Sequence, residues 1–200
     1  GDTKVVEKGG ADGLYINTAG IGKIPPGRKI SASMARPGDA IIVSGTVGQH
    51  GAAVLLARGE MSFRGRIESD VNPLRALTNA LLNACPEIHV MRDPTRGGLA
   101  TVLNEIARQS AVSMLINEQS IPVSSEVDSI CQLLGLDPLY LACEGRVVIF
   151  LPAPLASKAL ETLRRLPAGR KVSNAFDAGH NGGTEAQGGK AQGDRSGRSC

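Results

Sequence analysis

The 200-residue sequence contains no tryptophan, two tyrosines and three phenylalanines. Proteins that hold single-stranded nucleic acid stack its bases on aromatic side chains, so such platforms are scarce here. No apolar run approaches the roughly 20 residues needed to span a bilayer. No basic stretch leads into an apolar one either, so neither a membrane segment nor an export signal is expected. The four cysteines, Cys85, Cys131, Cys143 and Cys200, lack C-x-x-C spacing and a nearby His, which argues against a zinc site. Cys131 falls on the apolar stripe Val127, Ile130, Leu134, and Cys85 continues Leu77, Leu81, Ala84. Both read as core residues, and the expected compartment is a reducing cytoplasm.

A basic face is also missing. The net charge is +3, but residues 1–156 carry 14 Lys+Arg against 15 Asp+Glu, while residues 157–200 carry eight against four. The basicity gathers in the end segment, and nucleic acid is not an expected partner. From Asp177 to Cys200 there is no Leu, Ile, Val or aromatic residue, and there are seven glycines. Such a stretch cannot bury enough apolar surface to offset its ordering entropy, so residues 171–200 read as a flexible Gly-rich tail ending in Cys200.

What is present alternates between strand and helix patterns. "TKVVEK" and "GLYINTAGIG" read as two strands joined by the turn residues "GGADG". Two strands alone cannot bury a core, so residues 1–37 are expected to be the end of a domain whose beginning is missing. A Pro/Gly-bearing connection leads into residues 38–170, an α/β or α+β domain. "DAIIVSG" is a continuous apolar strand and "TVGQHGAAVLLARGE" a helix after a Gly-rich turn. "NPLRALTNALLNAC" is a helix with Asn72 as N-cap and Pro73 at its first position. "IHVM", "AVSMLIN" and "RVVIFL" read as strands, and "RGGLATVLNEIARQS", "SSEVDSICQLLG" and "PLASKALETLRRL" as helices, the second closed by Gly135.

Four stretches could carry chemistry. Gly45, Gly48 and Gly51 could free backbone amides for an anion, with His50 meeting a phosphate, but the spacing departs from the dinucleotide fingerprint. Close packing of the helix is the alternative. In "MRDPTRGGLATVLNEIA", Asp93 and Thr95 sit where an N-cap belongs, Gly97 and Gly98 allow close backbone approach, and Arg92 and Arg96 flank the turn. That is an anion clamp, or an ordinary capped helix whose arginines pair with Asp93 and Glu105. Glu144, in the turn of "ACEGRVVIF", could be a general base or a solvated acid. In "GDTKVV", Asp2 could bind a metal with phosphates and Lys4 could meet an acidic group.

Taken in order, "GDTKVVEKG", "DGLYINTAGIG", "GDAIIVSGTVGQHGAAVL", "MRDPTRGGLATVLNEIA", "LGLDPLYLACEGRVVIF" and the terminal Cys200 resemble the HypE family of hydrogenase maturation proteins. This family belongs to the ATP-binding superfamily of aminoimidazole ribonucleotide synthetase and selenophosphate synthetase. The resemblance implies an α+β (α/β-like) fold: the C-terminal domain of that superfamily, plus the last strands of a truncated ferredoxin-like N-terminal domain. It implies ATP and Mg2+ as cofactors, the carbamoyltransferase HypF and a HypC–HypD complex as partners, and a homodimer formed through the N-terminal domain.

In the family a C-terminal cysteine receives a carbamoyl group, which is dehydrated with ATP to a thiocyanate. Its cyanide goes to the iron of [NiFe]-hydrogenase. By this likeness Cys200 is the acceptor, Glu144 and Lys4 assist deprotonation, and Asp2 lies near magnesium. The helix start with Arg96, Gly97 and Gly98 lines the cleft between the domains and, with the His50 of the Gly-rich turn, is expected to bind the cofactor. The family's N-terminal part, with most ATP-binding residues, has no counterpart here, and the Gly-rich end is unlike the family's. Two readings follow: a maturation enzyme, inactive as this chain alone, or a non-catalytic α/β module that docks maturation partners. A Gly-loop cofactor enzyme ranks third.

Overall fold

The run DAIIV forms β1 (Asp39–Val43) and is buried along its whole length. It pairs antiparallel with the second apolar run, β4 (Val148–Pro152), from Asp39↔Pro152 to Val43↔Val148. Side chains alternate across a strand. Ile41, Val43, Val148 and Phe150 therefore face one layer, and Ile42, Ile149 and Leu151 the other. Both faces are covered, which is why these strands read as unbroken apolar runs. The computed structural model that shows this describes residues 7–10, 19–58 and 67–167 and the backbone of 173–177.

One face is covered by α3 (Gly98–Ser110), which buries Leu99, Val102, Leu103 and Ile106. The other carries α2 (Arg75–Ala84), through Leu77 and Leu81, and α5 (Ala156–Arg164), through Ala159 and Leu163. Full burial of each large side chain contributes about 1.5–3 kcal/mol. A smaller cluster joins α1 (Gln49–Ala57), through Ala52, to α4 (Ser125–Leu134), through Val127, Ile130 and Cys131. Ser124 caps α4 by accepting the Val127 N–H, and Gly135, with φ of 66°, ends it. Cys85 and Cys131 are core residues, as their stripes predict.

The sheet order is β2 (Val90–Arg92), β4, β1, β5 (Ser173–Asp177), β3 (Leu115–Ile116), with every neighbouring pair antiparallel. The strands β1, β2 and β3 run in one direction, with helices in the connections between them, since co-directed strands need long crossovers. They never pair with one another, because β4 and β5 come back between them. The domain is accordingly α+β, and its alternating element order does not produce a parallel sheet.

Strand β5 corrects the expected start of the tail at 171. Its sequence, SNAFD, has a single large apolar residue and no periodicity. It is a strand because the exposed backbone edge of β1 needs hydrogen-bonding partners. It pairs Ala40↔Asp177 and Val43↔Ser173 across an irregularity at Ile41/Ile42.

The expected start of the domain at 38 also moves. The Arg28 guanidinium donates to Leu82 O, Ser31 N to His89 O, and Ala35 N to Ser110 Oγ. Residues 28–35 are thus tied to the domain. The two N-terminal strands fall largely outside the described residues; Gly10 N donates to Glu7 O in a turn, and residues 19–22 form no strand.

Two helix starts are corrected as well. The N-cap of α2 is Leu74, with no side-chain cap bond, not Asn72. The segment 70–72 is instead pressed against the turn at Gly145. Helix α3 starts after Gly97, in the left-handed conformation, and Thr95 Oγ1 donates to Asp93 Oδ2 instead of capping the helix.

Candidate functional site

The segment LACEGR (141–146) leads into β4, and three other segments converge on it. Gly51 N donates to Ala142 O at 3.0 Å, and Cys143 N donates to Pro94 O at 3.0 Å. Gly48 N donates to the Cys143 thiol at 3.2 Å, and Glu144 N to Asp70 Oδ1 at 3.1 Å. Consecutive residues are thereby bound to the α1 start, the loop before α3 and the segment before α2. The Glu144 backbone is fixed, while its side chain stays 40% exposed.

Beneath Glu144 lies an ion pair that links three segments. The Asp70 side chain is fully enclosed, and its Oδ2 lies 3.6 Å from Arg146 Nε. A buried carboxylate is tolerated when a cation compensates it. The guanidinium is itself held: Nε donates to Thr46 O at 2.8 Å, Nη2 to Gln49 Oε1 at 2.8 Å, and Nη1 to Gly145 O at 3.0 Å. Two glycines make room. A Cβ at Gly45 would meet Arg146 Nε at 2.9 Å, and one at Gly145 would meet Asp70 O at 1.8 Å.

Beside Glu144 stands His50, the second residue of α1. Its Nε2 is 3.9 Å from Glu144 Oε1, and its Nδ1 is 2.9 Å from Ser69 Oγ. That hydroxyl also accepts the Val71 N–H at 3.2 Å. An accessible carboxylate on a rigid backbone, next to an imidazole, can take and pass on a proton.

Cys143 is no second nucleophile here. Burial pushes its thiol up to about 11, although the Gly48 N–H opposes the shift. At neutral pH the group is a thiol, not the reactive thiolate. The folded value lies above the ordinary 9.0, so the two states bind protons equally below pH 9. Above it, the unfolded chain loses the proton first and stability falls until the folded thiol titrates near 11. On the order of 2–3 kcal/mol should be lost across that window. Denaturant melts between pH 8 and 11 should show this slope, and Cys143→Ala should flatten it; an equal slope in both proteins would refute the assignment.

Of the residues singled out by sequence, Glu144 and His50 come together. Arg96 and Gly97 sit exposed on the loop that Pro94 ties to Cys143, and Arg92 pairs with Glu105 at 3.3 Å. Gly98 is buried, and a Cβ there would collide with Leu139 O, so the chain itself packs closely against it. The glycines of the α1 turn likewise serve packing: the Gly48 and Gly51 amides bond to Cys143 and Ala142, and a Cβ at Gly51 would meet Ala142 N at 3.0 Å. Asp2, Lys4 and Cys200 lie outside the described residues. Among the described residues, no group of three or more His, Cys, Asp or Glu side chains is placed to hold a metal ion. No described helix is long and apolar enough to cross a membrane.

Asp70, Arg146 and Ser69 belong to this arrangement, although no motif of the sequence marks them as site residues. The available signal was weak: Arg146 immediately precedes an apolar strand, and Asp70 sits in an unpatterned loop.

Residues 36–173 match the family described as AIR synthase related protein, C-terminal domain. The carbamoyl dehydratase HypE of Azotobacter vinelandii is 49% identical over 173 residues, which is 86% of this chain and 51% of that protein. A crystal structure of HypE in complex with ATP aligns with a TM-score of 0.71 and 44% identity, over 74% of this chain and 44% of that one. A crystal structure of a HypE–HypF complex aligns with a TM-score of 0.73 and 42% identity, over 75% of this chain and 49% of that one. The chain spans about half the length of the curated relatives it matches.

Proposed function

The chain belongs to the AIR synthase related C-terminal domain family and corresponds to the C-terminal portion of HypE; from that premise we propose that it carries the general-base side of a carbamoyl dehydratase site. The substrate is a carbamoylated cysteine, assigned to Cys200, and the product is its thiocyanate. One S-carboxamide and one ATP give one thiocyanate, ADP and phosphate. ATP, when bound with magnesium, supplies the phosphoryl group that makes the amide oxygen a leaving group.

The observation that carries this reading is Glu144. Its backbone is held by buried Asp70, its carboxylate is accessible, and its segment is bonded to the Arg96–Gly97 loop. Glu144 takes a proton from the amide nitrogen as the carbon–oxygen bond weakens. Arg96 and the Gly97 turn fit a phosphate as an exposed cationic loop. Lys4 assists deprotonation and Asp2 binds the metal, both by likeness to the family. HypF supplies the carbamoyl group, and the HypC–HypD complex carries the cyanide onward to the hydrogenase iron, in the cytoplasm.

The test joins this chain behind the N-terminal half of the Azotobacter vinelandii relative and supplies HypF, carbamoyl phosphate and ATP. The terminal peptide should gain one carbamoyl group and then lose one water. A Cys200→Ala chain should do neither, and persistence of both mass changes in that variant would remove Cys200 from the reaction. A docking module without chemistry is the second reading, favoured by the exposed apolar residues Leu133 and Tyr140 near the end of α4. It predicts HypF binding with no change of mass.

A further inference from the structure

We propose that His50 is a positioning residue for Glu144, held by Ser69 in the tautomer that directs an N–H at the carboxylate. The inference rests on the general-base reading of Glu144 and concerns how that carboxylate is aimed. It moves His50 from a phosphate, where the Gly-rich turn would put it, to the base.

An ionised carboxylate only accepts hydrogen bonds. With Glu144 Oε1 3.9 Å from Nε2, the ring is favoured with its proton on Nε2. Nδ1 then carries the lone pair and needs a donor, and among the described residues the Ser69 hydroxyl lies 2.9 Å away. A hydroxyl has one donor and two acceptor sites, so Ser69 can donate to Nδ1 while its oxygen accepts the Val71 N–H. The chain of bonds runs one way: Val71 N–H to Ser69, Ser69 O–H to Nδ1, Nε2–H toward Glu144. A neutral imidazole whose tautomer is set by the bond at its other nitrogen is a directional donor.

The distance fits this role. At 3.9 Å the Nε2–H steers the carboxylate without a full hydrogen bond that would hold it back from substrate. His50 is fixed through its place in the first turn of α1, whose Gly51 amide is bonded to Ala142, two residues from Glu144. Ring and carboxylate are therefore anchored to the same strand of backbone. A carboxylate misdirected by one rotamer can cost about 10- to 100-fold in rate, because reaction depends on near-attack geometry.

Two measurements test it. In the 200-residue chain itself, 15N NMR of the histidine rings at about pH 8.5, above the usual imidazole range, should show His50 protonated on Nε2 and bare on Nδ1. The signal is assigned by its loss in His50→Gln, and Ser69→Ala should return the ring to a mixture of tautomers. A proton on Nδ1 in the wild-type chain would overturn the proposal. In the joined protein, His50→Asn should lower kcat for thiocyanate formation about 10- to 100-fold with KM for ATP unchanged. His50→Gln, whose amide nitrogen sits near the Nε2 position, should recover most of that loss. A raised KM for ATP with kcat intact would put His50 back on the phosphates and sink the idea. If no joined protein forms thiocyanate, the dehydratase reading fails, while the tautomer measurement still decides whether His50 is aimed at Glu144.

Discussion

Glu144→Gln in the joined protein should leave carbamoylation of Cys200 intact and stop its dehydration, with the carbamoyl adduct accumulating. Glutamine keeps the size of the side chain and its capacity to hydrogen-bond, but it cannot take a proton at neutral pH. The backbone bond from residue 144 to Asp70 Oδ1 is unaffected, because it is donated by the main-chain N–H. The fold and the docking surfaces should therefore survive the change. Loss of a general base typically costs about 10²–10⁴ in rate, large enough to read from the mass of the terminal peptide over time. Thiocyanate formed at the wild-type rate would reduce Glu144 to a turn residue.

Gly145→Ala should damage both stability and activity, more than other glycine substitutions outside the left-handed region. The added Cβ would stand 1.8 Å from Asp70 O and 2.8 Å from Asn72 N, both backbone atoms that cannot swing away. Either the 70–72 segment or the 144–146 turn must move. Each movement stretches the Glu144–Asp70 bond and the Asp70–Arg146 pair. Overpacking alone costs about 1–3 kcal/mol, and disturbing a buried pair adds to it. For a protein of this size about 3 kcal/mol corresponds to a drop in Tm of about 6–12 °C. Gly22→Ala, where a Cβ meets nothing within 4 Å, is the control and should melt with the parent. Equal melting of the two variants would mean that the 70–72 and 144–146 segments are not locked together.

These two residues also mark how far the sequence could be read. Glu144 was legible because "LACEGRVVIF" is a compact motif: an acid in a glycine turn before an apolar run. Gly145 was legible as a turn residue only. Its real constraint is the Asp70 carbonyl, and nothing near 145 in the sequence announces it. His50 stands in a glycine-rich turn before a helix, a pattern that suggests free amides. Here those amides are bonded to the 142–143 segment.

Local patterning was enough for the apolar strands β1 and β4, the stripes of α2 and α4, the helices α3 and α5, the glycine stop at 135 and the family. All of these follow from local periodicity, from single-residue backbone preferences or from long matching motifs. Tertiary structure decided the antiparallel insertion of β4 and β5 between the co-directed strands, and the recruitment of the weakly patterned SNAFD into the sheet. It also decided the support of Glu144. Asp70 meets the Glu144 amide across 74 residues, and Arg146 meets Thr46 across 100. The physical reason is the same in each case. Backbone edges and buried charges must find partners wherever the fold brings them, and the identity of that partner is not written next to them in the chain.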